Sequence, residues 1–441
     1  MARAVSTTTV PHPTKSAFMT RDVIPSERSS DGGRVGFTGQ GISATTLFVL
    51  SFTAAVAVAG LYYMQPLLSV VAREFGTPVG ITGLLVTATQ VGYVVGLILI
   101  VPLGDLLEQR KILAVLLVVA AIALAAAGFA PGFWCLCIIL VGVGITAAAA
   151  QVAVPLAADL ALPERRGRAT GMVMSGLLLG ILLARTVSGL IAELSSWRTV
   201  FLVAAFAELV LAALVWNLVP STTASTDSSY RTLLASVARL VGSSPILRAR
   251  MLLGLLSMCG FSALWTSIAF LLAGDGGSQY HFGEGVIGVF GLAGVAGALG
   301  APVVGRLADG GRVRLAASVA WTLVIVGWAL SAWGAVSVVA LVAGLVVFDL
   351  GVQSIHLSNQ HAIYSAHPDA RSRVTTAYMT SYFLGGVLGS VASGFAYQAG
   401  GWLAVCAFGV GVALLGLATW GVVARLEIRR EERSGRAGPD S

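Results

Sequence analysis

Charge is what this chain of 441 residues has least of: only 11% of them are Asp, Glu, Lys or Arg, and Lys15 and Lys111 are the lysines among its 27 basic residues. Soluble domains carry roughly a quarter of charged residues, so a water-facing surface of ordinary extent is excluded. Cysteine is scarce too. Cys135, Cys137, Cys259 and Cys406 all lie in apolar segments, which implies no disulfide framework and leaves them as small helix-packing residues. The chain has five histidines but no HExxH, no Cys/His metal spacing and no phosphate-binding loop. It is therefore read as no enzyme, with no metal and no cofactor. Residues 1–42 lack the apolar core of a cleavable signal peptide and are rich in Ser, Thr, Gly and Pro, the composition of a disordered tail.

What remains is apolar. Hydrophobic residues make up 56% of the chain and the mean hydropathy is +0.88, the signature of a polytopic membrane protein. A bilayer core needs about 20 apolar residues per helix. Twelve stretches qualify, near 44–68, 80–104, 111–130, 133–160, 168–193, 198–219, 249–273, 284–307, 315–334, 336–361, 374–398 and 402–424. Their length, without period-2 alternation, excludes an outer-membrane barrel. The net charge of +7 is a matter of topology, not nucleic-acid binding. With the N-terminus in the cytoplasm, all but Arg73, Arg185 and Arg198 of the 27 basic residues fall in the tails, the even-numbered turns and the central loop. That asymmetry places both termini in the cytoplasm.

One stretch organises the rest. PERRGRATGMVMSGLLLGILLARTVSGLIAELSSW, Pro163 to Trp197, returns as PDARSRVTTAYMTSYFLGGVLGSVASGFAYQAGGW, Pro368 to Trp402. Pro163/Pro368, Arg166/Arg371, Arg168/Arg373, Met174/Met379, Gly189/Gly394 and Trp197/Trp402 coincide without a gap, as expected of a transporter built from two halves. The predicted organisation is a cytoplasmic tail 1–42, a six-helix half 43–219, a cytoplasmic linker 220–248 ending in a short amphipathic helix, a second six-helix half 249–424, and a tail 425–441.

Against this background each polar residue in an apolar run is informative, because it needs a partner or water. Arg185, whose counterpart in the repeat is Ser390, sits about two turns inside the fifth stretch, where a charge by default marks a functional site. The plainer reading ties it to backbone carbonyls. Tyr62 and Gln65 close the first stretch, and Gln90, Tyr93 and Gln151 lie on the second and fourth. Trp265 and Thr266 either line a cavity or anchor a helix end. In the tenth stretch Asp349, Gln353, His356 and Gln360 fall on one helical face, and Gln151 matches His356 in the repeat. Tyr378 and Tyr382 stand one turn apart. Glu208 and Asp159 are open to structural or proton-handling readings, and Asp275, His281 and Glu284 are expected to be solvated in an external loop.

Two turns complete the inventory: VPLGDLLEQRKIL, with Asp105, Arg110 and Lys111, and VVGRLADGGRVRL, with Gly305, Asp309 and Arg312. They resemble the cytoplasmic signature G-x-x-x-D-R-x-G-R-R-K of the major facilitator superfamily. In the first turn Val101, Leu106 and Glu108 replace the initial Gly, the Arg and the later Gly. The fifth stretch lays over the family's antiporter pattern G-x8-G-x3-G-P-x2-G-G at Gly171, Gly180, Ala184, Arg185, Ser188 and Gly189, with Arg185 in place of Pro. PLGD, PERRGRATG and the DLGVQ helix resemble the bacterial arabinose and multidrug efflux permeases, a drug:proton antiporter-type group. The resemblance implies an all-α fold of twelve transmembrane helices in two pseudo-symmetric halves, with stretches 1, 4, 7 and 10 around a central cavity. It implies a monomer in the bacterial inner membrane whose partners are a small-molecule substrate, protons and the lipid bilayer. The expected activity is export of a small organic solute by proton antiport through alternating access, with proton-coupled or facilitated uptake as the alternative. Arg185, Asp349, Gln353, His356, Gln151, Tyr62, Gln65, Trp265 and Tyr382 are the expected path, and the two turns the expected gates.

Overall fold

The computed structural model describes residues 42–221, 229–295 and 313–436, and among the described residues all regular structure is helical. Nine described helices are long and apolar enough to cross a membrane. Apart from residues at their ends, such as Ala130, Val219 and Ser337, the apolar stretches read from the sequence lie on helix or turn where they are described, the eighth being described only to residue 295.

Helix α1 (Ala44–Ala59) is started by Ser43, whose hydroxyl accepts from the Thr46 amide at 3.0 Å, an N-cap. It ends at Gly60 in a tight turn. There Leu61 and Tyr62 donate to the carbonyls three residues back, Val58 at 3.1 Å and Ala59 at 2.9 Å. Pro66 follows and has no N–H to give. The chain resumes as α2 (Leu68–Phe75) and stops at Gly76, whose φ of 61° suits glycine. Short α3 (Val79–Thr82) leads into α4 (Leu84–Leu99), and α5 (Gln109–Gly128) follows the first basic turn. The fourth stretch is split into α6 (Phe133–Ala147) and α7 (Ala149–Leu160), with Pro155 inside the latter. Then come α8 (Arg166–Leu194), α9 (Trp197–Leu218) and the linker helix α10 (Tyr230–Ser243). The second part holds α11 (Pro245–Ala273), α12 (Glu284–Val289), α13 (Val313–Trp333) and α14 (Val338–Ala366).

The helical run α15 (Arg371–Arg436) breaks at Gly400 and Gly401, the latter at φ 65°. Together with the turn Pro368–Ala370 before it, its apolar span Pro368–Glu427 is 60 residues long. At about 1.5 Å per residue that is far more than one hydrocarbon layer of about 30 Å, so the break at Gly401 is where the chain turns back. The run continues as helix past residue 425, where a tail was expected, and Glu427 pairs with buried Arg250 of α11 at 2.9 Å.

Close packing is made at small residues. A Cβ on Gly180 would strike the Ala55 backbone of α1, and one on Gly189 would strike Glu284 and Gly288 of α12. Two glycines of the antiporter-like pattern therefore mark helix crossings, whereas Gly171 faces open space.

The two parts of the chain are tied at the end that carries the 76–78 and 274–283 loops. Ser69 donates to Asp275 Oδ2 at 2.6 Å, Arg73 pairs with Glu284 at 3.1 Å, and the Thr87 and Ser390 hydroxyls meet at 2.8 Å. Asp275 and Glu284, expected to be merely solvated, are thus cross-links, because Ser69 and Arg73 of α2 stand opposite them. At the same end Glu74 accepts from the Trp197 indole at 2.5 Å and pairs with Arg198. The matching Trp402 donates to the Ser331 carbonyl at 2.7 Å.

Partial burial raises Glu74, but the bonds from Trp197 and Arg198 outweigh it, and the folded protein holds this carboxyl below its usual value. Such a group contributes stability above its unfolded value, and that contribution is lost as pH falls through its folded one. Glu74→Gln should therefore lower the thermal midpoint of the detergent-solubilised protein at neutral pH. The gap from the unsubstituted protein should close on acidification through the carboxylate range.

Candidate functional site

Arg185 points from α8 into the bundle and is 3% exposed. Its surroundings are side chains, not the backbone carbonyls of the plainer reading. Nε donates to Gln65 Oε1 at 2.5 Å, and the guanidinium carbon lies 4.1 Å from the ring centre of Trp265, 4.9 Å from that of Tyr62 and 5.6 Å from that of Phe261. Aromatic faces attract a cation more strongly when water is excluded, so three rings compensate part of the cost of burying this charge. They do not complete it. Nη2 is buried with no hydrogen-bond partner among the described residues.

The second half of the compensation comes from α14. Asp349, 4% exposed, accepts at Oδ1 from the Trp265 indole N–H at 3.3 Å. Trp265 thus offers its face to the guanidinium and its edge to the carboxylate. Glycines allow this crowding: a Cβ on Gly291 would sit 2.9 Å from Arg185 Cβ, and one on Gly294 would sit 2.6 Å from Asp349 Oδ2. The cluster draws Tyr62 and Gln65 from the turn after α1, Arg185 from α8, Trp265 from α11 and Asp349 from α14, so both parts of the chain build it.

His356, on the same face of α14, belongs to a second cluster. Its Nδ1 is 3.1 Å from the Tyr378 hydroxyl, and its ring centre is 4.6 Å from that of Tyr382. Contacts continue from Tyr382 to Phe383 at 5.6 Å and from Phe383 to Tyr93 at 4.5 Å, and Tyr93 accepts from Gln151 at 3.1 Å. His356 and Gln151, matched by the repeat, therefore end one aromatic bridge across the two parts. Gln90 donates to Ser262 beside it at 2.8 Å. Gln353 is half-buried between the clusters on α14. Asp349 and His356 thus have partners in different clusters.

At the first turn Glu108 is the hub. It pairs with Arg110 at 3.2 Å and Lys111 at 2.8 Å, and Arg110 also lies over the Trp216 ring at 5.2 Å. The Lys111 bond and both nearby cations hold the Glu108 carboxyl below its ordinary value. Asp105 closes the turn of 3₁₀ helix Val101–Asp105, its side chain being outside the described residues. Gly305, Asp309 and Arg312 lie outside them altogether. Asp159 accepts from Gln109 at 3.1 Å. Sequence reasoning missed Phe261 and the Glu108 role. Phe261 is one apolar residue among many, but Glu108 stood out as an acid where the signature has glycine.

Many apolar spanning helices around a buried, incompletely compensated charge define a multi-pass membrane protein of the transporter class. The sequence profile of the Major Facilitator Superfamily matches residues 50–382 and 251–440, and the chain belongs to that family. It is 45% identical over 384 residues to the uncharacterized transporter YgaY of Escherichia coli O157:H7, covering 86% of this chain and 95% of that one. It is 30% identical over 389 residues to the probable transporter SCO4007 of Streptomyces coelicolor, covering 87% and 89%. Among solved structures, a bacterial homolog of the human lysosomal transporter Spinster, in an inward-facing and occupied conformation, shares the fold. The TM-score is 0.70 at 16% identity, covering 86% of this chain and 96% of that one.

Trp265→Phe keeps a ring for Arg185 but leaves Asp349 Oδ1 without its donor. A hydrogen bond to a charged group is worth about 1.5–3 kcal/mol. The variant should lose stability of that order in thermal unfolding, whereas a Trp serving only as an interfacial anchor would tolerate Phe.

Proposed function

We propose that this protein is a secondary active transporter of a small organic solute in the bacterial inner membrane, coupled to protons through Asp349 and built as two six-helix halves that rock about the Arg185 cluster. Both termini lie in the cytoplasm, as the basic residues favour. One observation carries the reading: a cation and an acid, both buried in the membrane-spanning bundle, are bridged by one indole and contributed by both parts of the chain. Such a site changes when the two parts move, which is what alternating access requires.

The sign of coupling follows from charge balance. While ionised, Asp349 balances Arg185 through the indole. A solute that bonds the ionised carboxylate competes with the proton, so the two exchange. Export by antiport is therefore the leading reading, in keeping with the resemblance to efflux permeases. Uptake by symport is the second reading, favoured by the free Nη2 of Arg185. An anion bound there supplies the negative charge itself and favours the protonated acid, so solute and proton travel together.

Everted vesicles separate the two: solute addition should release protons from acid-loaded vesicles by antiport and draw protons in by symport. Asp349→Asn should abolish proton-driven transport while counterflow exchange persists, and active transport retained by the variant removes Asp349 from coupling. Arg185→Lys replaces a planar fork by a point charge. It should weaken transport about 10- to 100-fold, the equivalent of one charge-assisted bond, and normal activity would leave Arg185 a structural role.

A further inference from the structure

Glu208 lies midway along α9 and is 2% exposed. Helices α5, α1 and α8 pack on α9, and Glu208 Oε2 is buried with no hydrogen-bond partner among the described residues. Among the described residues no cation is placed to balance it. Helix α5 has no titratable residue from Leu113 to Gly128, and α1 has none. On α8, Arg185 is committed to Gln65 and its rings, and Glu193 is exposed near the helix end. On α9 itself, Arg198 is paired with Glu74. Among the described residues, Tyr63 is in electrostatic reach of Glu208. An unpaired carboxylate in hydrocarbon costs far more than its neutral form.

Tyr63 belongs to the turn that follows α1. Its neighbours in that turn, Tyr62 and Gln65, hold Arg185, by the ring face at 4.9 Å and by the 2.5 Å bond. The described backbone bonds of the turn are local, such as Gln65 N to Tyr62 O at 3.2 Å, and Pro66 interrupts the ladder. One short segment therefore carries both Tyr63, in electrostatic reach of Glu208, and the two residues that hold Arg185.

We propose that Glu208 is a second proton-binding site, separate from Asp349, whose protonation sets the position of the Tyr63 turn and with it the Gln65 contact to Arg185. Loss of the proton places a negative charge in electrostatic reach of the Tyr63 phenol, which favours an O–H turned toward it and draws the turn along. The importance of that movement for transport rests on the reading of Arg185 given above, but the site itself does not.

The test uses the purified full chain in lipid nanodiscs and needs no solute. At neutral pH, infrared difference spectra of the unsubstituted protein against Glu208→Gln should contain a carboxylic acid C=O band that shifts in D2O and survives in Asp349→Asn. Absence of the band means an ionised Glu208 and overturns the proposal. Hydrogen exchange of a peptide spanning 60–68, corrected for intrinsic rates, should change several-fold between mildly acidic and alkaline pH. It should stay flat in Glu208→Gln and regain pH dependence in Glu208→Asp. A flat profile in the unsubstituted protein, or a Gln variant that follows it, overturns the link to the turn. If the Gln variant does not fold, an Asp variant whose profile has lost the pH dependence overturns it equally. Both readouts stand apart from transport, so failure of the transport reading leaves them intact.

Discussion

A guanidinium that cannot give up its proton is buried in a helical bundle that spans hydrocarbon. Arginine stays charged under all ordinary conditions, so the protein must surround it, and what surrounds Arg185 dictates much of the local fold. Gln65 and Tyr62 come from a break after α1, Trp265 and Phe261 from α11, and Asp349 reaches it through the indole. Each helix must approach closely enough for these contacts. That requirement explains why glycines 288, 291 and 294 lie where any Cβ would collide with α8 or Asp349.

The compensation is incomplete by design of the chemistry: three rings and one amide oxygen leave Nη2 free. A fully satisfied cluster would be a static cross-link, and replacing such a cluster by apolar residues commonly costs little. The cross-links at the 76–78 and 274–283 end are of another kind, being small, and the ion pair among them, Arg73 with Glu284, is partly exposed. Exposed pairs contribute little each, so they hold one arrangement of the two parts without making it permanent.

Much of this was legible in the sequence because a membrane magnifies polar exceptions. The polar face of α14, the substitution of Arg185 for proline and the repeat ending in Trp197 and Trp402 are visible against apolar runs, and Asp349, Arg185, Trp197 and Trp402 each make a hydrogen bond in the fold. The sequence separates Arg185 from Ser390 in the repeat, and the asymmetry marks the cluster. Partners of apolar or ambiguous type were not legible. Phe261 looks like any buried ring, and Tyr93 and Phe383 join His356 to Gln151 only because α4 meets α15. The division of the α14 stripe into two clusters was also hidden. Helical spacing fixes a face but not which neighbour stands opposite each turn. The loop acids Asp275 and Glu284 read as solvated because their partners, Ser69 and Arg73, lie in the other part of the chain.

The central claim is that Arg185 and Asp349 form one electrostatic unit through Trp265. A double-mutant cycle on the thermodynamic stability of Arg185→Gln, Asp349→Asn and the combined variant measures it directly. The account predicts that each single change destabilises and that the combined variant loses less than the sum by about 1 kcal/mol or more, since neither charge is left alone. Losses that add to within about 0.5 kcal/mol would contradict it.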